Sequence, residues 1–287
     1  MPGDVRIADV EAGRPVEGVY AVARKQRRHD RNGDPYLVLE LTDSTGAIEG
    51  RVWKNADWFD RNVREGDRVR AVGRGSRFRD QVQLEIRRLD RVGDDDAVLA
   101  DGRSFVPQGR RDVEDLAGEL DFLASEITRD ELRALVEAVW SGPDRDELLR
   151  SPATQGDHHA HVGGLAEHTV AVAAIAMAAA DRHVGIDRDL LLAAALLHDV
   201  GRVRELRADT AIETDFDGAL VGHVLLGHEL LLAAATRAGV DPSSTPWWPK
   251  LVHAVSVHHQ VDQCRTREAV VLASANQLDA RLARRDR

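Results

Sequence analysis

The hydrophobic pattern changes period once along the chain, and that change limits the fold more than any other feature. Over residues 1–92 apolar and polar side chains alternate, which is the mark of half-buried strands. From Val113 onward they recur every three to four residues, which is the mark of helices. PVEGVYAVARK, YLVLELTD, AIEGRVWK, DRVRAVGRG and QVQLEIRRL give five strands, with tight turns at NGDP (32–35) and DSTG (43–46). NADWFDRNV (55–63) reads as a short helix between the third and fourth strands. Five strands with a helix in that place fit a small β-barrel of the OB type, with an SH3-like barrel as the rival. A polar linker, 93–112, follows. Seven helices then fill 113–287: VEDLAGELDFLASEI, DELRALVEAVW, AEHTVAVAAIAMAAA, DLLLAAALLHD, ALVGHVLLGHELLLAAATRAG, PKLVHAVSVHHQ and REAVVLASANQLDARLAR. The expected architecture is therefore multidomain, a five-stranded β-barrel over 1–92 and an all-α domain behind the linker.

Charge divides at the same place. Residues 1–92 hold 19 Lys and Arg against 16 Asp and Glu, which leaves 20 against 33 in the remainder. Eleven of the 12 histidines, all but His29, lie in that acidic remainder. A mildly basic module precedes an acidic, histidine-rich one. The apolar runs 169–180 and 190–197 fall well short of the ~20 residues of a membrane span, so no membrane partner is expected. MPGDVRIADVEAG has no basic-then-apolar organisation, so no signal peptide is expected and the cytoplasm is the expected compartment. One cysteine, Cys264, excludes an internal disulfide and a cysteine-rich zinc module.

Four helices place a histidine at an end or on an apolar face: His168 in GGLAEHT, His198 beside Asp199, His223 and His228 on a later helix, and His258 with His259. Each alone reads as a hydrogen-bonded core residue. Together they need a common partner, and a metal satisfies several buried polar groups at once. Imidazole and carboxylate without thiolate suit divalent manganese, iron, cobalt, nickel or zinc. An Asp directly after a ligand His can span two ions with its two oxygens, as a phosphoester-cleaving site requires.

HHAHVGGLAEHT (158–169), LLHDVGRVREL (196–206), GHVLLGHELL (222–231) and VHAVSVHH (252–259) resemble the HD domain of the YhaM-type 3′-to-5′ exoribonucleases. LELTDSTGAIEGRVW (39–53) resembles the OB signature of the same family. The resemblance implies an OB-fold followed by an HD-domain metal-dependent phosphohydrolase, with His168, His198, Asp199, His223, His258 and His259 as metal ligands. Asn276 in SANQLDA stands where the family carries an Asp ligand, and Asp279 matches the second Asp of that pattern. An amide ligates without formal charge, so one ion is expected to be held more weakly. Gln155, Arg202 and Ala273 also depart from the family, standing for a Lys, a Lys and a His. Arg202 keeps the charge and can grip phosphate with two prongs.

The resemblance implies a metal-dependent 3′-to-5′ exonuclease acting on single-stranded RNA, with DNA also open, and releasing nucleoside 5′-monophosphates. It takes two divalent ions, manganese first, with magnesium, cobalt, iron, nickel or zinc as alternatives. His198, Asp199 and Arg202 are the expected catalytic residues, and His158 and His159 contact substrate; His161 has no assigned role. On the barrel, Arg24, Lys25, Tyr36, Trp53 and Phe78 are the expected strand-binding residues, since such surfaces combine aromatic platforms with positive charge. ARKQRRHDR (23–31) is expected as a hairpin loop. Tyr20 reads equally well as core. The rival functions are an HD-type nucleotide phosphohydrolase and a nucleic-acid-binding protein with an impaired metal site. Homo-oligomerisation is compatible with the family, and nothing in the residues decides it.

Overall fold

The structure, a computed structural model, describes residues 4–79, 81–93, 105–208 and 211–284. Contacts divide the chain into a unit of Met1–Gln108 with Ala208–Glu213 and a unit of Gly109–Arg207 with Thr214–Arg287. Of the linker expected at 93–112, residues 94–104 lie outside the described residues.

The first unit is a closed barrel with strand order β1-β2-β3-β5-β4. Its strands are β1 Pro15–His29, β2 Pro35–Asp43, β3 Gly46–Val52, β4 Arg68–Phe78 and β5 Gln81–Arg91, with helix α1 Ala56–Asn62 between β3 and β4. Neighbours run antiparallel except β3 and β5, and β1 closes onto β4. The five expected strands and the intervening helix are all present, in the OB arrangement. Alternation decides which side chains face inward. Leu37, Leu39 and Leu41 are fully buried, and Tyr36 and Glu40, on alternate positions, are only half-buried. Tyr20 is core, its hydroxyl donating to Val5 O at 2.7 Å. Asp43 of the DSTG turn is buried and accepts from the Ile7 and Thr45 amides at 2.9 and 2.7 Å, so that carboxylate is structural.

One expectation is corrected here. ARKQRRHDR is not a hairpin loop: β1 continues to His29, with Arg24–His29 paired to Glu40–Pro35. The turn falls at 30–34, where Asp30 Oδ1 accepts from the Asn32 and Asp34 amides at 2.8 and 2.9 Å. The outer half of β1 protrudes beyond the core, so its side chains are polar on both faces and the alternation that marks a strand is lost.

The second unit is helical: α2 Val113–Ser125, α3 Asp130–Trp140, α4 Arg145–Arg150, α5 Gly164–Ala180, α6 Arg188–Leu197, α7 Arg202–Glu205, α8 Phe216–Val221, α9 His223–Ala238, α10 Trp248–Ser256 and α11 Arg267–Ala283. The short strands β6 Leu206–Ala208 and β7 Ile212–Thr214 pair with each other. In α6 every residue from Leu190 to Leu197 is buried, because α2, α3, α5, α10 and α11 all pack around it. This explains a helix apolar on all sides rather than along one stripe. Trp140 donates its indole N–H to Leu196 O at 2.8 Å, satisfying a carbonyl at the end of α6. The single helix expected over 219–239 is two: Gly222, at φ 79° and ψ 148°, ends α8 and opens α9 immediately before His223. Trp247 and Trp248 are both buried against the helices. Among the described residues no helix is long and apolar enough to cross a membrane.

Candidate metal centre

Four imidazoles on four helix ends have one ring nitrogen tied to an acceptor. His198 directs Nδ1 to Ala195 O at 2.8 Å, and His258 does the same to Val255 O, each three residues back at the end of its helix. His168, near the start of α5, directs Nδ1 to Asp279 Oδ2 at 2.6 Å. His223, opening α9, faces Glu205 Oε2 with Nδ1 at 3.4 Å. A carbonyl or carboxylate oxygen only accepts, so each Nδ1 carries a proton and each Nε2 is the nitrogen left to face the centre.

Those four Nε2 atoms converge on Asp199. Its Oδ2 lies 3.7 Å from Nε2 of His168 and of His198, and its Oδ1 lies 3.2 Å from Nε2 of His223 and of His258. His168 and His198 oppose their Nε2 atoms at 3.2 Å, and those of His223 and His259 meet at 2.9 Å. So many ring nitrogens crowded on one carboxylate cannot all be served by protons shared among themselves, and in a dry interior an unserved polar atom is costly. Asp199 Oδ1 and His258 Nε2 are buried 3.2 Å apart, and neither has a hydrogen-bond partner. A divalent cation would give these converging donor atoms, the unpartnered Asp199 Oδ1 and His258 Nε2 among them, a common partner. Two ligand groups result, His168 with His198 and Asp199, and His223 with His258, His259 and Asp199. The donor set therefore fits divalent metal, and Asp199 belongs to both halves.

The electrostatics agree. Burial pushes the Asp199 carboxyl up, but Arg202 and the imidazoles of His198 and His258 outweigh it and hold the group well below the usual carboxylate range. Burial pushes His198 well down, and burial with neighbouring His258 pushes His259 down to about 3. An ionised Asp199 beside the neutral imidazoles of His198 and His259 suits metal binding.

The other expected residues are placed as follows. Arg202 pairs with Glu205 and brings Nε within 3.7 Å of Asp199 Oδ1, so its guanidinium braces the central carboxylate. Glu205 also faces His223, and although burial raises it, His223 and Arg202 hold it at about 2. The Asn276 side-chain nitrogen lies 3.3 Å from His258 O and 3.5 Å from His259 Nδ1, behind the imidazole pair. Gln155 accepts from Thr214 Oγ1 at 3.0 Å, and Ala273 is fully buried. His158 packs its ring 5.3 Å from that of His168, and burial, with the neighbouring His168 imidazole, lowers it to about 4. His159 Nε2 lies 2.9 Å from the same Asp279 oxygen that holds His168. Burial lowers His159, but hydrogen bonds to Asp279 and Glu167 outweigh that and raise it to about 9. His253 accepts from the Arg265 amide at 3.0 Å, as a structural histidine does. Three residues without an assigned role emerge: Asp279 behind His168, Glu205 behind His223 and Glu167 behind His159. The only linear signal for Glu205 and Glu167 is that each sits in the same motif as a candidate ligand.

On the barrel, Tyr36 and Trp53 stack with ring centroids 4.5 Å apart, and Trp53 is 46% exposed. Arg51, unforeseen in the sequence, lies over the equally exposed Phe78 at 4.7 Å. Register puts Arg51 opposite Val38, one outward position from Tyr36, so the two aromatic groups and the guanidinium share a face. Arg24 and Arg28 lie on the same outer side, opposite Glu40 and Tyr36. Lys25 does not join them. Its ammonium donates to Asp60 O and Val63 O at 2.5 and 2.8 Å at the end of α1, and pairs with the Asp60 carboxylate.

Residues 165–281 match the HD domain, and residues 19–92 match an OB-fold nucleic acid binding domain. Across 98% of its length the chain is 27% identical to the 3'-5' exoribonuclease YhaM of Listeria monocytogenes serotype 4b, covering 90% of that protein. The 3'-5' exoribonuclease YhaM of Listeria innocua is similar to the same extent, 27% identity over 98% of this chain and 90% of its own. Among solved structures, the second OB-fold domain of replication protein A from Methanococcus maripaludis matches 31% of this chain and 95% of its own at 18% identity, with a TM-score of 0.27.

Proposed function

We infer that this chain, an OB-fold nucleic-acid-binding domain followed by an HD domain and similar to YhaM over nearly its full length, is a metal-dependent 3′-to-5′ exonuclease. The observation that carries the chemistry is the ring of Nε2 atoms around Asp199. The substrate is single-stranded RNA, with DNA as a second strand to be tested, and the products are nucleoside 5′-monophosphates. The reaction belongs to the cytoplasm.

Residues 1–92 capture the strand, 93–112 form the linker and 113–287 cleave. Two divalent ions, manganese first among the candidates, activate water and stabilise the leaving oxygen when bound. His168 and His198 would hold one, His223 with His258 and His259 would hold the other, and Asp199 would serve both groups. Asn276 adds no charge to the second group, so that ion is the more weakly held. Arg202 keeps Asp199 ionised and in place, and with His158 it meets the terminal phosphate. Arg24, Arg51, Tyr36, Trp53 and Phe78 bind the strand upstream.

The test is 5′-labelled single-stranded RNA with manganese. The expected result is progressive shortening from the 3′ end that His198→Ala abolishes; RNA left intact with every divalent metal tested overturns it. Asn276 favours one rival, a binding protein with a weak site. Asn276→Asp separates the two readings: turnover already present in the native chain removes the rival, and turnover that appears only in the variant removes the nuclease.

A further inference from the structure

We propose that His159, His161 and Glu167 hold a third divalent cation, of zinc-like ligand preference, distinct from the pair around Asp199. These residues lie in the loop between α4 and α5 and on the first turn of α5. Glu167 Oε2 is 3.1 Å from His161 Nε2 and 3.7 Å from His159 Nδ1. The ligand edge of a tetrahedral site with bonds of about 2.0–2.1 Å is about 3.3 Å, which those two distances bracket.

One nitrogen of each ring is anchored and the other faces Glu167, so binding the ion displaces the proton that His159 Nδ1 shares with that carboxylate. His161 Nδ1 lies 3.1 Å from Val162 O, which only accepts, so Nδ1 carries a proton and Nε2 is the nitrogen that faces Glu167. His159 Nε2 is 2.9 Å from Asp279 Oδ2, so its Nδ1 is turned to Glu167. Each imidazole thus has its outer nitrogen anchored, on a backbone carbonyl in one case and a carboxylate in the other. That is the second-sphere arrangement that orients histidine toward metal. Both ion pairs of Glu167 among the described residues are with these imidazoles.

The loop is built to hold them. His159 has φ 49°, a left-handed backbone rare for a side chain of its size, and its carbonyl accepts from Ala153 N at 3.1 Å. A Cβ on Gly164 would sit 2.0 Å from His159 O, so the glycine lets α5 start directly against that strained turn. Two imidazoles and one carboxylate leave an open position, the form of a catalytic site and not of a closed structural one. The open position takes a phosphate oxygen, so substrate contact at His159 runs through the ion. Asp279 Oδ2 also holds His168, which ties this third site to the nearer half of the pair.

The test uses the full chain and needs no activity. In zinc-soaked crystals of Asp199→Asn, which removes the residue common to the pair, the expected anomalous peak lies within bonding distance of His159 Nδ1, His161 Nε2 and Glu167. Elemental analysis of native protein against His161→Ala is expected to show the loss of one ion equivalent, with unchanged circular dichroism. No peak in those crystals, or equal metal content in the two proteins, overturns the proposal. Failure of the pair reading looks different: a peak at Glu167 in native crystals and none beside Asp199.

Discussion

Gly201 and Gly227 meet back to back. A Cβ on Gly201 would fall 2.4 Å from the Gly227 amide nitrogen and 2.0 Å from His223 O. The glycine after His198-Asp199 therefore lets the start of α9 close on the carboxylate, and His223 reaches Asp199 because of it. Gly201→Ala collides with backbone, which no rotamer change relieves. The expected cost is about 2–3 kcal/mol in a denaturant melt, in the upper range for overpacking. The same variant is expected to lose the ion of the His223 half and keep that of the His168 half, measured as metal content.

Asp279 serves two imidazoles through a single oxygen, His168 at 2.6 Å and His159 at 2.9 Å. Asp279→Asn removes the charge that orients a ligand from behind, an effect of about 10–100-fold in metal affinity. Chelator competition on the folded variant measures it. Unchanged affinity means that His168 does not hold metal.

The barrel face gives a test by contrast. Trp53→Ala removes half of the stack with Tyr36 and is expected to weaken single-stranded RNA by about 1–3 kcal/mol. Arg51→Ala is expected to reduce the slope of log K against log salt by about 0.7 if it neutralises one phosphate. Lys25→Ala is expected to leave that slope alone and lower the melting temperature, because its ammonium serves the end of α1. Fluorescence anisotropy across a salt series reads all three.

The legible part of this molecule was the part written in residue type and period. A His-Asp pair closing a wholly apolar helix, histidines on three further helices and a switch from period two to period 3.6 led to the barrel, the helices and the candidate ligands. What stayed hidden depends on tertiary contacts. Lys25 reads as one of a basic cluster, and only the fold shows its ammonium at Asp60 O and Val63 O. Gly222 sits in an unbroken helical period, and only packing reveals the turn that frees His223. Asp279 lies 111 residues from His168, and no linear spacing announces their contact. The resemblance supplied the order of the ligands; which nitrogen of each ring faces the centre comes from the acceptors behind them.

The metal-free protein is expected to be most stable near pH 6.5. His158 and His259 fall to about 4 and about 3 in the fold, so below about 6.5 the unfolded chain takes up protons that the folded one refuses, and stability drops. His159 rises to about 9, so its contribution is complete below about 6.5 and fades as pH climbs through 9. Thermal melts in chelator across this range measure the curve. A melting temperature still rising from pH 7 to 9 contradicts it.

The central claim is that Asp199 lies between two cations, and anomalous scattering from a manganese-soaked crystal of the native protein tests it most directly. The account predicts two peaks, one within bonding distance of His168 Nε2 and His198 Nε2 and one among His223, His258 and His259, each beside an oxygen of Asp199. Density with no peak at either place, and the imidazoles bonded to one another through protons, would contradict it.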